Sequence, residues 1–401
     1  MRLAIVGGKL QGVEAAYLAA KAGYQTVLVD RRQAPPAAGL ADRHVVMDVT
    51  ADAERSRTVL AACDAVLPAC EDEATLAWLA DHVPDWDVPL LFDPEAYAVS
   101  SSKLASNALF ARLGVPRPRP RTEGGYPLVV KPSVASGSHG VHVVRNAGEL
   151  RAARADLEAA GHEVVVEEYV AGPSLSLEVL CWAGRAVPLQ VTGLEFDEGY
   201  DCKRVVAPVG EGARPDGTPF DWTRAVARGV LAAFDAATTS LAEGLGLRGL
   251  MDVEVIVHDR IPKVLEIDAR LPSQTPTAVY WSSGLNVVEL LNATFRDGRV
   301  PPVDRTAKRA CVFEHVHAAR GRLAVAGEHV IGVARPLRLV PGFFGADEAL
   351  TDYAPGRDTW AATLITLGET VSEARHAADA AVVALASEEY LHLLPEGKSE
   401  S

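Results

Sequence analysis

Short apolar runs alternate with segments of helical period along the first part of the chain. Arg2-Leu-Ala-Ile-Val-Gly7 reads as a buried strand, Val13 to Ala22 as a helix ended by Gly23, and Gln25 to Asp30 as a second strand. Apolar strands recur at Ala65–Pro68 and Pro89–Phe92 with a helix between them, so this part forms a small doubly wound, Rossmann-like unit. After Ser100-Ser101-Ser102 a new helix runs from Lys103 through Leu113 and is capped by Gly114, and Pro116–Pro120 reads as a linker. The apolar run Pro127-Leu-Val-Val-Lys131 enters a Gly/Ser-rich loop, Ser136-Gly-Ser-His-Gly140, before a strand at Val141–Val144, a helix at Ala147–Ala159 and strands at Glu163–Glu167 and Leu175–Leu180. A long helix is expected near Ala225–Gly244 and a closing helix at Val371–Ala386. These patterns predict α/β and α+β architecture in three regions: residues 1–94, 95–181 and 182–401.

The most specific pattern lies near residue 260. Met251-Asp-Val-Glu-Val-Ile-Val257 and Lys263-Val-Leu-Glu-Ile-Asp-Ala-Arg270 are β-branched runs around the turn residues His258-Asp-Arg-Ile-Pro262. Side chains alternate along a strand, so Asp252 and Glu254 share one face, as do Glu266, Asp268 and Arg270. A turn centred near Arg260 sets Glu254 opposite Glu266 and Asp252 opposite Asp268. Like charges facing across strands destabilise a hairpin and raise each other's pKa. A divalent cation resolves the conflict, and hard oxygen ligands suit Mg2+ together with substrate phosphates. The bland alternative is a solvated strand face with Arg270 and Lys263 as counter-charges.

Composition narrows the partners. The 401 residues carry a net charge of −14 and no basic run, which argues against nucleic acid. Five scattered cysteines without a CxxC argue against a disulfide framework or structural zinc. No apolar run approaches the roughly 18 residues of a membrane helix, and a cytoplasmic protein without membrane contact is expected. The turn Gly7-Gly-Lys-Leu-Gln-Gly12 departs from the dinucleotide template, because Lys9 stands where the template needs glycine. Asp30 is placed where a ribose-binding acid sits in such proteins, so a nicotinamide-dependent oxidoreductase is a remote alternative. The glycines can still hold an anion such as a substrate carboxylate.

Lys131, at the end of an apolar strand before small residues, suits a phosphate: backbone amides approach closely and the lysine adds a point charge. Lys103 can supply a second charge. No G-x-x-x-x-G-K-[ST] occurs, which excludes a P-loop. Glu167 to Val170 precede Gly172-Pro173 and can offer adenine contacts, or form an ordinary edge strand leaving for a turn.

In that order, helix lysine, strand lysine with glycine loop, Glu-Glu-Tyr-Val hinge and acidic hairpin, the chain resembles the ATP-grasp superfamily. The resemblance implies ATP held between two α+β lobes. Lys103 and Lys131 match the family's phosphate lysines, Ser136, Gly137, Ser138, His139 and Gly140 its glycine loop, and Glu167, Glu168 and Val170 its adenine hinge. Glu254, Glu266 and Asp268 match its metal ligands. Asp268 stands where the family often has asparagine, and Ser174 where it often has a ribose-binding acid. Three longer strings, Val6 to Tyr17, Tyr200 to Pro208 and Leu265 to Pro276, look like the ligase family of pyrrolysine biosynthesis, which joins 3-methyl-D-ornithine to L-lysine. The implied activity is carboxylate–amine ligation through an acyl phosphate, with another amino-acid pair as the nearer alternative. Lys203 would balance phosphate charge and Arg270 would stabilise the acyl oxyanion, or pair with a hairpin carboxylate. Glu178 and Asp252 are candidate ammonium ligands, or structural salt-bridge partners. Gln11, Ser273 and Gln274 are candidate substrate contacts. His139 is a phosphate donor or solvent-facing, and His315 and His317 read as structural. A homodimer is common in the family, but no exposed stripe in this chain marks one.

Overall fold

A computed structural model of the chain describes residues 1–122, 124–134, 140–209, 211–213, 219–221 and 228–394. The first apolar runs form a parallel four-stranded sheet in the order Arg43–Val46, Gln25–Asp30, Arg2–Val6, Ala65–Pro68. The first helix spans Leu10–Lys21, three residues earlier than the apolar pattern indicates, because Gln11 and Gly12 already take helical geometry and are buried. Gly12 has no room for a side chain: a Cβ there would lie 2.2 Å from the Gly7 carbonyl oxygen.

The helix Lys103–Leu113 begins at the Ser102 cap and ends at Gly114 in the left-handed conformation. It leads to a three-stranded antiparallel sheet with Leu128–Pro132 at the centre, between His142–Val144 and Val164–Glu168. The helix Ala147–Ala159 covers this sheet through Leu150, Ala153 and Leu157.

The remaining strands build an 11-stranded sheet. One edge holds Ile261–Asp268, then Gly249–His258, Ser174–Trp182, Arg185–Phe196, Cys202–Ala207, Ala310–Ala319 and Trp360–Gly368. One face of its first strands packs Leu175, Leu177, Val179, Met251, Val253, Val255, Val264 and Ile267 against the helix Arg228–Leu245. Strand alternation then forces the acidic residues of these strands onto the other face. There the helices Thr275–Ser283 and Val287–Asp297, and the first helix of the N-terminal region, complete a second core around Leu180, Leu250 and Leu271. The acids lie between these two layers. The closing helix, Val371–Glu388, starts with a capping box between Thr370 and Glu373. Among the described residues, no helix is long and apolar enough to cross a membrane.

Candidate active site

The acidic hairpin turns through Asp259 and Arg260, both at positive φ (50° and 64°), a two-residue turn that matches strand twist. Such a turn alone would pair Glu254 with Leu265. A β-bulge between Val255↔Val264 and Glu254↔Glu266 leaves Leu265 as the extra residue. The expected register of the acids therefore holds, but the bulge produces it, not a turn centred on Arg260. On the other side of the same strand, Asp252 pairs with Glu178 and Glu254 with Ser176. Two rows result across three strands: Glu178–Asp252–Asp268 and Ser176–Glu254–Glu266.

The rows are electrostatically loaded. Burial, then Glu266 and Glu328, push the Glu254 carboxyl up to about 8. Burial, then Asp268 and Glu254, drive Asp252 well above the ordinary carboxyl range. Burial takes Asp268 up to about 6, with Arg270 opposing it. Burial alone would raise Glu266 too, but Lys103 and Lys131 hold it below the usual range. Lys103, at the first turn of its helix, reaches Glu266 at 3.3 Å. Lys131 is buried and pairs with buried Glu167. Glu168 accepts from Lys263 at 2.6 Å and lies 3.4 Å from Arg119, and Val170 is buried. The two lysines, the hinge acids and the hairpin are thus joined by ion pairs. Gly140 has φ +73° and lies against Pro132 and Leu157, a tight turn that favours glycine. Ser136, Gly137, Ser138 and His139 lie outside the described residues.

Arg270 bonds Asp268 at 2.6 Å and also Glu71, which accepts from Gln11 Nε2 at 2.9 Å. Glu71 thereby links the N-terminal region to the hairpin, and nothing in its local sequence marks it. Glu328 is a second residue that the sequence pattern misses. It accepts from Ser273 Oγ at 2.8 Å and Gln274 Nε2 at 2.6 Å. His315 is buried and bonds Gln274 Oε1 through Nε2 at 3.1 Å and Thr363 Oγ1 through Nδ1 at 2.9 Å. Burial pushes its imidazole down to about 3, so it is neutral. Lys203 is buried two strands from the strand that carries Glu178. Glu178 is completely buried, and burial raises it to about 7.

The anion expected at the first glycine turn is the chain's own. Gly8 N–H donates to Asp30 at 2.7 Å, and Arg32 closes over the same carboxylate. Pro35 sits where a Gly8 side chain would be. Asp30 is therefore turned inward, away from the ribose-binding role that a nicotinamide site would require. A separate group, Asp197, Asp201 and His329, brings its ligand atoms within 4.8 Å of one another, but it satisfies itself: Asp197 accepts from Gly199 and Asp201 N–H, and Asp201 pairs with His329. On the hairpin, by contrast, one oxygen of Asp268 and Arg270 Nε are buried without partners.

Residues 100–274 match the ATP-grasp domain family. The chain is 36% identical over 332 residues to the 3-methyl-D-ornithine–L-lysine ligase of Methanosarcina barkeri, covering 82% of this chain and 84% of that protein. Its fold is similar to the biotin carboxylase domain of the Hydrogenobacter thermophilus 2-oxoglutarate carboxylase, solved with MgADP (TM-score 0.67, 16% identity, 92% and 86% of the two chains). It is also similar to an L-amino acid ligase from Bacillus licheniformis (TM-score 0.64, 17% identity, 94% and 97%). The chain belongs to the ATP-grasp family and is an ATP-dependent carboxylate–amine ligase.

Proposed function

We propose that the chain joins two basic amino acids, 3-methyl-D-ornithine through its carboxylate and L-lysine through its side-chain amine. One observation carries the substrate class. Of thirteen buried side-chain polar atoms without a hydrogen-bond partner among the described residues, eight belong to this one region. They are Ser176 Oγ, both oxygens of Glu178, one oxygen each of Asp252 and Asp268, Arg270 Nε, and the hydroxyls of Thr275 and Thr277. Buried polar groups are normally paired, and leaving one bare costs roughly 1–3 kcal/mol. A surplus of bare carboxylate oxygens calls for a ligand rich in N–H donors. A diamino acid with two ammonium groups meets that demand, and Glu178 and Asp252 would receive them.

The donor set also fits a magnesium ion: hard carboxylate oxygens are clustered, and Glu254 and Asp268, both raised, are relieved by a cation. Glu254, Glu266 and Asp268 would hold it, and when bound it supplies charge neutralisation for the phosphates. Phosphoryl transfer demands little beyond alignment and balanced charge. Lys103, Lys131 and Lys203 would balance the triphosphate, Ser136 to Gly140 would cradle it, and Glu167, Glu168 and Val170 would contact adenine. The substrate carboxylate attacks the γ-phosphate and ADP leaves. The lysine amine then attacks the acyl carbon, phosphate leaves, and the amine gives up one proton. Arg270 is placed to meet the developing oxyanion. Gln11, Ser273 and Gln274 contact the amino acids. The three regions 1–94, 95–181 and 182–401 would act as an N-terminal platform and two nucleotide-binding lobes.

Phosphate release from ATP and magnesium, measured against a panel of amino-acid pairs, tests this reading. The 3-methyl-D-ornithine and L-lysine pair should stimulate release most. Stronger stimulation by a pair without a second ammonium group would sink the substrate assignment, and no stimulation by any pair in a protein that binds ATP would sink the ligation.

A further inference from the structure

Gln274 has φ 72° and ψ −57°, and the Thr275 N–H donates to the Ser273 carbonyl at 2.8 Å. That combination is a γ-turn of the rare, strained kind. A glutamine stays in such a strained conformation only where its surroundings over-determine it. Here they do. Ser273 Oγ and Gln274 Nε2 both donate to the same Glu328 oxygen, at 2.8 and 2.6 Å. His315 Nε2 meets Gln274 Oε1 at 3.1 Å, and Thr363 fixes the other ring nitrogen at 2.9 Å. Beyond the turn, the Thr277 N–H donates to buried Glu14 of the N-terminal region at 2.5 Å.

Donor and acceptor roles run in one direction through this set. Gln274 Nε2–H donates to Glu328, which turns Oε1 toward His315 Nε2; the neutral ring then carries its proton on Nε2 and accepts from the Thr363 hydroxyl at Nδ1. A flipped Gln274 amide would set its oxygen against the Glu328 carboxylate, two acceptors in contact, whereas His315 could meet either face by changing tautomer. One Gln274 N–H is left over. The turn lies four residues past Arg270 on the same chain segment, and the residue after it, Thr275, brings its hydroxyl beside Glu178.

We infer that His315, Thr363 and Glu328 are positioning residues that hold Gln274 in a strained γ-turn so that its remaining amide N–H is aimed at an oxygen of the amino-acid substrate. This rests on the proposed amino-acid ligation and adds the residues that align it. His315 acts as a fixed neutral donor, not as a base.

The test compares His315→Leu, His315→Gln and Gln274→Gly with wild type by steady-state kinetics, thermal melting and calorimetric binding of each basic amino acid. His315→Leu should lower kcat/KM for one amino acid by at least about tenfold, while KM for ATP stays put. His315→Gln can accept from Thr363 and donate to Gln274, so it should recover most of that loss. Gln274→Gly relieves the positive φ but leaves His315 and Glu328 without their Gln274 partners, so its melting temperature is read beside its activity, which should fall to a similar degree. Wild-type-like kcat/KM in both His315→Leu and Gln274→Gly overturns the inference, as does a failure of His315→Gln to outperform His315→Leu. If wild type ligates no pair, the proposed function fails first. The turn is then judged on binding alone, where affinities unchanged by Gln274→Gly overturn it and a selective loss for one amino acid supports it.

Discussion

Glu178 stands directly opposite Asp252 on the neighbouring antiparallel strand, and both are buried. Two carboxyls in that relation would repel if both were ionised. Burial raises both, Glu178 to about 7, which favours the protonated forms over a repelling pair, and an ammonium group beside them would favour the ionised forms instead.

Glu178→Gln should therefore stabilise the fold while weakening substrate binding. The folded-state pKa of Glu178 lies above its ordinary value of 4.5, so its contribution is fully present below pH 4.5 and is lost as pH rises to about 7. The loss is of order 3 kcal/mol for a shift of this size. At pH 8 the variant should melt higher than wild type, with the gap closing toward pH 4.5, and its KM for a diamino acid should rise at least about tenfold. Melting curves across pH, combined with KM, check both halves. A variant that melts lower at pH 8 and binds normally would make Glu178 a structural partner.

The buried Lys131–Glu167 pair gives a second separation of structure from function. Lys131→Met leaves Glu167 charged and alone, which should cost about 3–5 kcal/mol. Adding Glu167→Gln removes that charge and should restore most of the melting temperature. It should not restore ATP affinity, because the phosphate charge is still missing. Nucleotide titration of the double variant decides this: normal ATP affinity would reduce Lys131 to a core ion pair.

The hairpin explains what the sequence revealed and what it hid. Alternation of β-branched and acidic residues between Met251 and Arg270 carries the strands, the shared face and the facing acids, because a one-residue slip would bury the acids in the apolar layer. The Leu265 bulge was not legible, since an extra residue in a strand leaves no compositional mark. Glu71 and Glu328 were hidden for a different reason. Glu71 opens an ordinary acidic run before a helix and Glu328 sits in a turn, and the meaning of each comes only from what folding brings to it, Arg270 and Gln11 in one case, Ser273 and Gln274 in the other. His315 read as structural from its strand, and its bonds to Gln274 and Thr363 were out of reach for the same reason.

Glu266 is nearly half exposed at its side chain and is kept ionised by Lys103 and Lys131. Glu266→Gln should leave the melting temperature within a few degrees of wild type, since an exposed pair contributes about 1 kcal/mol or less. Turnover should vanish, and the melting shift produced by magnesium and ADP should shrink. Magnesium affinity of wild type should increase from pH 6 to pH 9, because Glu254, pushed up to about 8, must lose its proton to become a ligand. Turnover that survives Glu266→Gln, or pH-independent magnesium affinity, would remove these carboxylates from a metal site.

Arg270 tests whether the acids and the acyl chemistry meet at one group. Its guanidinium spans Asp268 and Glu71, and its Nε is buried without a partner. A lysine can keep one of those ion pairs but not the planar fork that serves several acceptors at once. If Arg270 only neutralises acids, Arg270→Lys should retain activity within a few-fold. If it also meets the oxyanion, kcat should fall by about 10²–10³ with little change in KM for ATP. Glu71→Gln separates the two contributions, since it weakens one anchor of Arg270 and leaves the guanidinium in place. It should lower kcat less than Arg270→Lys and leave nucleotide affinity unchanged. Equal losses in the two variants would mean that Arg270 acts only through its contact with Glu71, and the oxyanion role would be withdrawn.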